Sequence, residues 1–178
     1  MVSVERIIEF GAIESEALLE TDLDENLQVK DWPKRDASIT VKDLTIRYRK
    51  NLPPALHGIS FQIMAGERVG IVGRTGSGKS TLVQAFLRIL EAESGSIDIG
   101  GTDISLIGLH KLRTSIAVIP QLPVLFSGST IRQNLDPFLK YSESKLYDAL
   151  EAVQLKSAIN DLPAKLDSLV ADGGSNFR

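Results

Sequence analysis

Eight consecutive residues, Gly73–Ser80 (GRTGSGKS), combine glycines, a lysine and a hydroxyl at the spacing G-x-x-x-x-G-K-S/T. Glycine lets a backbone approach an anion closely, so successive N–H groups can converge on phosphate oxygens. Lys79 adds a positive charge, and Ser80 supplies the small oxygen ligand that a phosphate-bound Mg²⁺ needs. This phosphate loop predicts ATP or GTP with Mg²⁺ as ligands. A glycine-rich turn that only links two elements would not explain Lys79 followed by a hydroxyl.

The residues on either side of the phosphate loop fit a strand–loop–helix unit. Arg68–Val72 (RVGIV) is a short β-branched run that predicts a buried parallel strand. Thr81–Leu90 places Leu82, Phe86 and Leu90 on one helical face. The positive end of that helix dipole would point at the same phosphates.

The composition indicates one globular domain with a short appended segment. The chain has 178 residues, 43% of them hydrophobic, and no cysteine. It has no apolar stretch near the 18 or so residues that a membrane span needs, and its first residues lack the apolar core of a signal peptide. The lack of cysteine fits a reducing compartment and excludes thiol chemistry and cysteine-bound zinc.

Charge is unevenly distributed along the chain. Residues 1–36 hold 4 Lys or Arg against 10 Asp or Glu, whereas residues 37–178 hold 16 against 13. The body is only mildly basic and shows no clustered basic stripe. We therefore expect no nucleic-acid partner.

Three segments are predicted. Residues 1–20 form an amphipathic helix whose apolar stripe, Val4, Ile7 and Ile8, needs a partner. Residues 21–36 are acidic, lack periodicity and are predicted to be a linker. The compact domain spans residues 37–178.

Within that domain, hydrophobic patterning and turn residues place the remaining elements. Strands are predicted at Ser38–Tyr48, His57–Met64, Gly95–Ile99 and Ser115–Pro120. Helices are predicted at Leu109–Arg113, Ser129–Leu135, Ser144–Val153 and Lys156–Leu162.

Four stretches, in this order and spacing, resemble the nucleotide-binding domain of an ATP-binding cassette (ABC) transporter. They are Ile46–Phe61, Gly66–Leu82, Ser94–Ser105 and Ile116–Phe138. The last is the most specific, because Gln121, 42 residues beyond Lys79, and the LFSGSTIRQNL that follows resemble the family's Q-loop.

The runs GRTGSGKS, GLHKLR and NLDPF are similar to the second nucleotide-binding domain of C-type, or multidrug-resistance-associated, exporters. Ser3–Ala17 resembles the cytoplasmic end of the last transmembrane helix that leads into that domain. The resemblance implies an α/β P-loop NTPase fold with a RecA-like core. It also implies an antiparallel β subdomain from the first strands and a helical subdomain that begins near residue 129.

The resemblance also implies function. ATP binding and hydrolysis would drive transmembrane transport. The partners would be the transmembrane domains of the same transporter and a second nucleotide-binding domain that joins this one face to face around ATP. The location would be the cytoplasmic side of a membrane, with this segment itself soluble.

The resemblance implies roles for individual residues. Tyr48 would stack on adenine, Gln121 would contact Mg²⁺ and the attacking water, and Thr81 would contact the α-phosphate. Lys79 and Gln121 would be catalytic, and Ser80 and Gln121 would bind the metal. The predicted nucleotide-binding set is Tyr48, Gly73, Arg74, Thr75, Gly76, Ser77, Gly78, Lys79, Ser80 and Thr81.

Plainer roles stay open for three of these residues. Tyr48 could pack on its own sheet, Gln121 could be a turn glutamine, and Thr81 could cap or pack its helix. His57 and His110 are too isolated for a metal site, and we assign them no role.

Motifs that follow the Q-loop in this family are not found among residues 122–178. Ser168–Asp172 (SLVAD) resembles the Walker B strand but is followed by glycine, where that motif has a second acid. Phe177 and Arg178 would be the first two signature positions, with Arg178 in place of a serine that reaches the γ-phosphate. We therefore expect an incomplete cassette that ends before its signature motif, and little or no ATP hydrolysis by this chain alone.

Two other functions are compatible with a phosphate loop. One is a soluble kinase for a small metabolite, which would need an acceptor pocket and lid arginines. The other is a non-catalytic regulatory module that binds nucleotide without turning it over.

Overall fold

The computed structural model describes residues 2–13, 15–25, 31–122, 124–172 and 174. The chain divides into an N-terminal unit, residues 1–117, and a C-terminal unit, residues 118–178. Strands and helices share the N-terminal unit, whereas the C-terminal unit is helical. The combination is compatible with the predicted α/β class.

A four-stranded antiparallel sheet forms the centre of the N-terminal unit, in the order β2-β1-β3-β4. The strands are β1 (Ile39–Ile46), β2 (Leu56–Ile63), β3 (Ser94–Ile99) and β4 (Thr102–Asp103). In β1, Val41 pairs with Phe61 of β2 and with Ile97 of β3. The three strands predicted at 38–48, 57–64 and 95–99 are confirmed to within a few residues.

Strand β1 turns apolar side chains into the core of the N-terminal unit, and its register is irregular between Val41 and Leu44, where Asp43 has a φ of 45°. Val41, Leu44 and Ile46 are almost fully buried there. Leu82 and Ala85 of helix α3 (Lys79–Phe86) belong to the same apolar cluster. Burying side chains of this size contributes about 1.5–3 kcal/mol each, so the sheet and α3 hold each other in place.

The N-terminal segment is more structured than a linker. Helix α1 (Val2–Gly11) exposes its apolar stripe, and α2 (Asp22–Glu25) follows. Trp32 is buried, and its Nε1 donates to the Ile99 carbonyl over 2.7 Å. Part of the predicted linker is therefore packed on the N-terminal unit, because the single tryptophan gains both burial and a hydrogen bond there.

Two predicted strands are wrong. Arg68–Val72 and Ser115–Pro120 have no strand structure: Ser115 ends a helix, and within the described ranges neither segment joins the sheet. Val72 is 98% exposed and Ile119 is 96% exposed. An apolar sequence becomes a strand only where a neighbour takes its backbone hydrogen bonds, and these segments find none among the described residues.

An apolar groove of about 400 Å³ lies in the N-terminal unit where the strand at 68–72 was expected. Its walls come from β2, from residues 69–72 and from α3; Ile59, Phe61, Val69, Leu82 and Phe86 are among them. Gly73, Ser77, Gly78 and Lys79 of the phosphate loop also line this groove.

A 3₁₀ helix (Ile104–Leu106) and helix α4 (Leu109–Ser115) follow β4. Leu109 and Leu112 of α4 are fully buried. The helix predicted at Leu109–Arg113 is confirmed.

The C-terminal unit contains α5 (Ile131–Leu135), α6 (Glu143–Ala152), α7 (Lys156–Asn160) and a 3₁₀ helix (Lys165–Asp167). The three helices lie where the sequence predicts them. A capping box starts α5, since Thr130 accepts from the Gln133 N–H and the Gln133 side chain accepts from the Thr130 N–H. Its apolar core comprises Ile131, Leu146, Leu150, Ile159, Leu166 and Val170.

Among the described residues, no helix is both long enough and apolar enough to cross a membrane.

Candidate functional site

The phosphate loop connects residues 68–72 to the start of α3. Gly76 and Gly78 have φ values of 82° and 89°, in the left-handed region that favours glycine. The Ser77 N–H donates to the Arg74 carbonyl over 3.1 Å, which closes the turn. Gly78 then caps α3 at its N-terminus. The glycines at 76 and 78 are thus required by the backbone shape.

Lys79 reaches back into the loop. Its Nζ donates to the Gly73 carbonyl over 2.7 Å and to the Arg74 carbonyl over 2.8 Å, and lies 3.5 Å from Ser77 Oγ. The ammonium group is therefore surrounded by oxygens of the loop itself. A cation held at this place is correctly positioned to meet phosphate oxygens that the loop would enclose.

The loop is packed closely against its surroundings. A Cβ atom on Gly73 would come within 2.4 Å of Ser77 Oγ. One on Gly78 would come within 2.6 Å of Leu56 Cδ2 and 2.9 Å of the Ala55 carbonyl. The start of β2 thus fixes one side of the loop, so the sheet and the loop form a single structure.

Ser80 lies in the first turn of α3, next to Lys79. The amides of a helix's first turn have no partner within the helix and carry the positive end of its dipole. Arg74 and Thr75 are exposed on the loop. The nine predicted residues from Gly73 to Thr81 are consecutive in the chain and lie together in the phosphate loop and the first turn of α3.

Tyr48 lies just beyond the end of β1 and is brought to the same site. Its Oη is 3.0 Å from Thr81 Oγ1 and donates to Gln84 Oε1 over 3.1 Å. The side chain is 50% exposed. The tyrosine is therefore attached to α3 through its hydroxyl, which differs from simple packing on its own sheet.

Thr81 is only 4% exposed, and its hydroxyl faces Tyr48. The contact predicted between Thr81 and the α-phosphate stays a prediction, to which its backbone N–H in the first turn of α3 is suited. Gln84 was not singled out from the sequence. The available signal was its spacing, because residues three apart on a helix share a face, and Gln84 follows Thr81 by that interval.

Gln121 belongs to the C-terminal unit, whereas the phosphate loop belongs to the N-terminal unit. It is exposed and lies in a bend between segments without regular structure. Its predicted contacts with Mg²⁺ and water stay predictions. Phe177 and Arg178 lie outside the described residues.

Comparison with known proteins decides the family. Residues 56–173 match the family model described as ABC transporter. This chain belongs to the ABC transporter family.

Several relatives resemble this ABC transporter chain over 99% of its length. It is 46% identical to ABC transporter C family member 8 of Dictyostelium discoideum, of which it covers 11%. It is 47% identical to the probable multidrug resistance-associated protein lethal(2)03659 of Drosophila melanogaster, covering 13% of it. It is 46% identical to ABC transporter C family MRP4 of Zea mays, covering 12%. The chain thus spans roughly a tenth to an eighth of these relatives' length.

The matched region of the ABC family includes the whole phosphate loop and Gln121, and it begins after Tyr48. The C-family relatives align with nearly the whole chain, so their similarity extends to Tyr48 and to the N-terminal segment. The chain is therefore a nucleotide-binding part of an ABC transporter of the C family, within a family of transport ATPases. This membership favours the transporter over the soluble kinase.

Proposed function

We propose that this chain is the ATP-binding part of the second cassette of a C-type exporter. Residues 37–178 belong to the nucleotide-binding domain, and residues 21–36 connect it to the membrane part. Residues 1–20, which are helical at Val2–Gly11, form the end of a transmembrane-domain helix. The observation that carries the proposal is the phosphate loop, in which Lys79 Nζ lies within 2.8 Å of two loop carbonyls.

In this proposal each group at the site has one task. The loop amides and Lys79 bind the phosphates, with Lys79 exchanging the carbonyls of Gly73 and Arg74 for phosphate oxygens. Ser80 and Gln121 hold Mg²⁺, which neutralises phosphate charge when bound. Tyr48, a half-exposed residue, contacts adenine with its ring. The donor set fits these ligands, since hydroxyl and amide oxygens are ligands that Mg²⁺ accepts.

The partners follow from the family. The transmembrane domains of the same transporter contact this domain, and a second nucleotide-binding domain faces it across ATP. Gln121 relays the state of the nucleotide to the membrane part at the cytoplasmic side. The apolar stripe of α1, exposed at Val4, Ile7 and Ile8, supports this placement, because such a stripe packs against a partner.

Titration of the purified chain with Mg-ATP, monitored by calorimetry, tests the proposal. Lys79→Ala should raise the Kd at least tenfold, because it removes a hydrogen bond from a charged group to phosphate, which contributes roughly 1.5–3 kcal/mol. Lys42→Ala, at an exposed position of β1, removes the same charge away from the loop and should leave the Kd unchanged. Equal affinities of wild-type and Lys79→Ala chains would show that the loop does not bind the phosphates.

The same samples test turnover. We propose that the purified chain binds ATP but hydrolyses it slowly or not at all. Steady release of phosphate that disappears in Lys79→Ala would contradict this part and leave the binding proposal intact.

A further inference from the structure

The backbone that carries Tyr48 is held from several sides. Arg47 Nε donates to Glu93 Oε2 over 2.8 Å, and its Nη1 donates to the Leu52 carbonyl. The Ala55 N–H donates to the Ile46 carbonyl over 2.8 Å. The Cα end of the Tyr48 side chain is therefore fixed by the sheet and by the loop that follows β1.

The other end of the side chain is fixed by α3. Tyr48 has one hydroxyl proton, and Gln84 Oε1 can only accept, so Tyr48 donates to Gln84. The 3.0 Å contact between Tyr48 Oη and Thr81 Oγ1 then needs Thr81 as donor. The three groups form a directed chain from Thr81 through Tyr48 to Gln84.

A tyrosine ring has only two side-chain torsions, and attachment at both ends leaves little freedom to either. Yet Tyr48 as a whole residue remains 50% exposed to solvent. A ring that is held in one orientation with an open surface loses little entropy when a flat ligand stacks on it. The same ring without its hydroxyl contacts would have to be ordered at the moment of binding.

We propose that Gln84, together with Thr81, is a positioning residue that orients the Tyr48 ring for the nucleotide base. The inference rests on the proposed function, in which Tyr48 contacts adenine. Gln84 acts through Tyr48 and is not itself a catalytic residue. Its substitution should weaken recognition of the base and leave recognition of the phosphates as it is.

The experiment compares the Kd of Mg-ATP with that of Mg-tripolyphosphate, which has phosphates but no base, in the purified 178-residue chain. Tyr48→Ala removes the ring and should weaken ATP roughly 5- to 150-fold, the usual range for loss of base stacking. Tyr48→Phe and Gln84→Leu keep the ring but remove the attachment, and each should weaken ATP roughly three- to tenfold. None of the three should change tripolyphosphate affinity.

Two further variants separate orientation from general damage to α3. The double variant Tyr48→Phe/Gln84→Leu should be no weaker than the weaker single variant, because both break the same bond. Gln84→Glu keeps an acceptor oxygen and should restore the wild-type ratio of the two Kd values. Tyr141→Phe, in the C-terminal unit, is the matched control for loss of a tyrosine hydroxyl.

Failure of this inference differs from failure of the proposed function. If Tyr48→Ala loses ATP affinity but Tyr48→Phe and Gln84→Leu do not, the ring contacts the base without needing its attachment, and the positioning role is wrong. If Tyr48→Ala leaves the ratio of the ATP and tripolyphosphate Kd values unchanged, Tyr48 does not bind adenine. The positioning role is then wrong, and so is the adenine contact in the proposed function, whereas phosphate binding by the loop is tested separately by Lys79→Ala. Circular dichroism checks that each variant folds. If Gln84→Leu does not fold, Tyr48→Phe alone tests whether the attachment of the Tyr48 hydroxyl is needed.

Discussion

The phosphate loop and the segment around Gln121 are both marked by clear sequence motifs, yet they are held in different ways. The loop is fixed by its own carbonyls around Lys79 and by contact with Leu56. The second segment, which we term the Q segment, comprises residues 118–122 and 124–126. Its side chains are mostly exposed, with Ile119 96% and Leu122 80% accessible to solvent.

The Q segment has a defined attachment at its C-terminal end. The Asn134 carboxamide accepts from the Phe126 N–H over 2.8 Å and donates to the Phe126 carbonyl over 3.2 Å. The shape of the phosphate loop thus depends on contacts with sequence neighbours and β2, whereas the Q segment is held from α5. Substitutions within the phosphate loop should therefore strongly lower the free energy of unfolding. The Q segment should instead respond to substitutions in α5 of the C-terminal unit, to which it is attached.

The largest expected effect separates two glycines of the loop. Gly78→Ala adds left-handed strain of about 1–2 kcal/mol and overpacking against Leu56 and Ala55 of about 1–3 kcal/mol. Gly76→Ala has similar strain, with φ of 82°, but no atom within 4 Å of the added carbon. Urea unfolding should show that the free energy of unfolding falls by about 2–5 kcal/mol in Gly78→Ala and by about 1–2 kcal/mol in Gly76→Ala.

Equal losses in the two variants would mean that the contact between the loop and β2 carries no energy. The shape of the phosphate loop would then depend only on its own backbone torsions and not on β2. Both variants carry the same chemical change, so each serves as the control for the other.

The loop shows how far sequence can predict a structure. Glycine, lysine and hydroxyl at fixed spacing determine a local shape, and residues 73–81 come together as the motif predicts. The strands at 39–46, 56–63 and 94–99 were predictable because apolar and polar residues roughly alternate in them and turn residues lie at their ends. Arg68–Val72 has an equally strong β-branched pattern but no strand structure, since pairing depends on a distant neighbour that a local pattern does not reveal.

An intermediate effect is expected at the attachment of the Q segment. Asn134→Ala removes the hydrogen bonds to both backbone groups of Phe126 and should speed exchange of the Phe126 amide hydrogen. The expected loss in free energy of unfolding of the C-terminal unit is about 1–3 kcal/mol, since each of the two bonds contributes about 0.5–1.5 kcal/mol. Exchange measured by NMR gives the local effect directly.

Asn134→Asp is the matched variant, because it keeps the oxygen that accepts from Phe126 and loses only the donor. Its Phe126 amide should stay more protected than in Asn134→Ala. Unchanged protection in Asn134→Ala would show that the Q segment is held by other contacts, and the contrast with the phosphate loop would shrink.

The site itself was only partly predictable. The motif named Tyr48 and Thr81 separately, but their hydrogen bond joins residues 33 positions apart, so only the fold reveals it. Gln84 carries no motif at all, and its role depends on where β1 ends relative to α3. Trp32 likewise looked like part of a linker, because its hydrogen bond to Ile99 spans 67 positions.

The smallest expected effect is a pH dependence of the free energy of unfolding that arises from Asp136, two residues after Asn134. Burial of the Asp136 carboxyl raises its pKa, but N–H groups of Lys140, Tyr141 and Phe138 outweigh that, so the pKa lies below its usual value. Because the pKa of Asp136 is lower in the folded chain, its ionised carboxylate stabilises the folded state at pH values above the unfolded pKa of about 3.9. This stabilisation is lost as the pH falls through the folded pKa. Urea unfolding of wild type and Asp136→Asn should therefore differ most at neutral pH and converge in acid. If the difference in free energy of unfolding between wild type and Asp136→Asn stays constant with pH, the ionised Asp136 carboxylate does not hold the chain that follows α5. Asn134 would then be the residue that supports the Q segment.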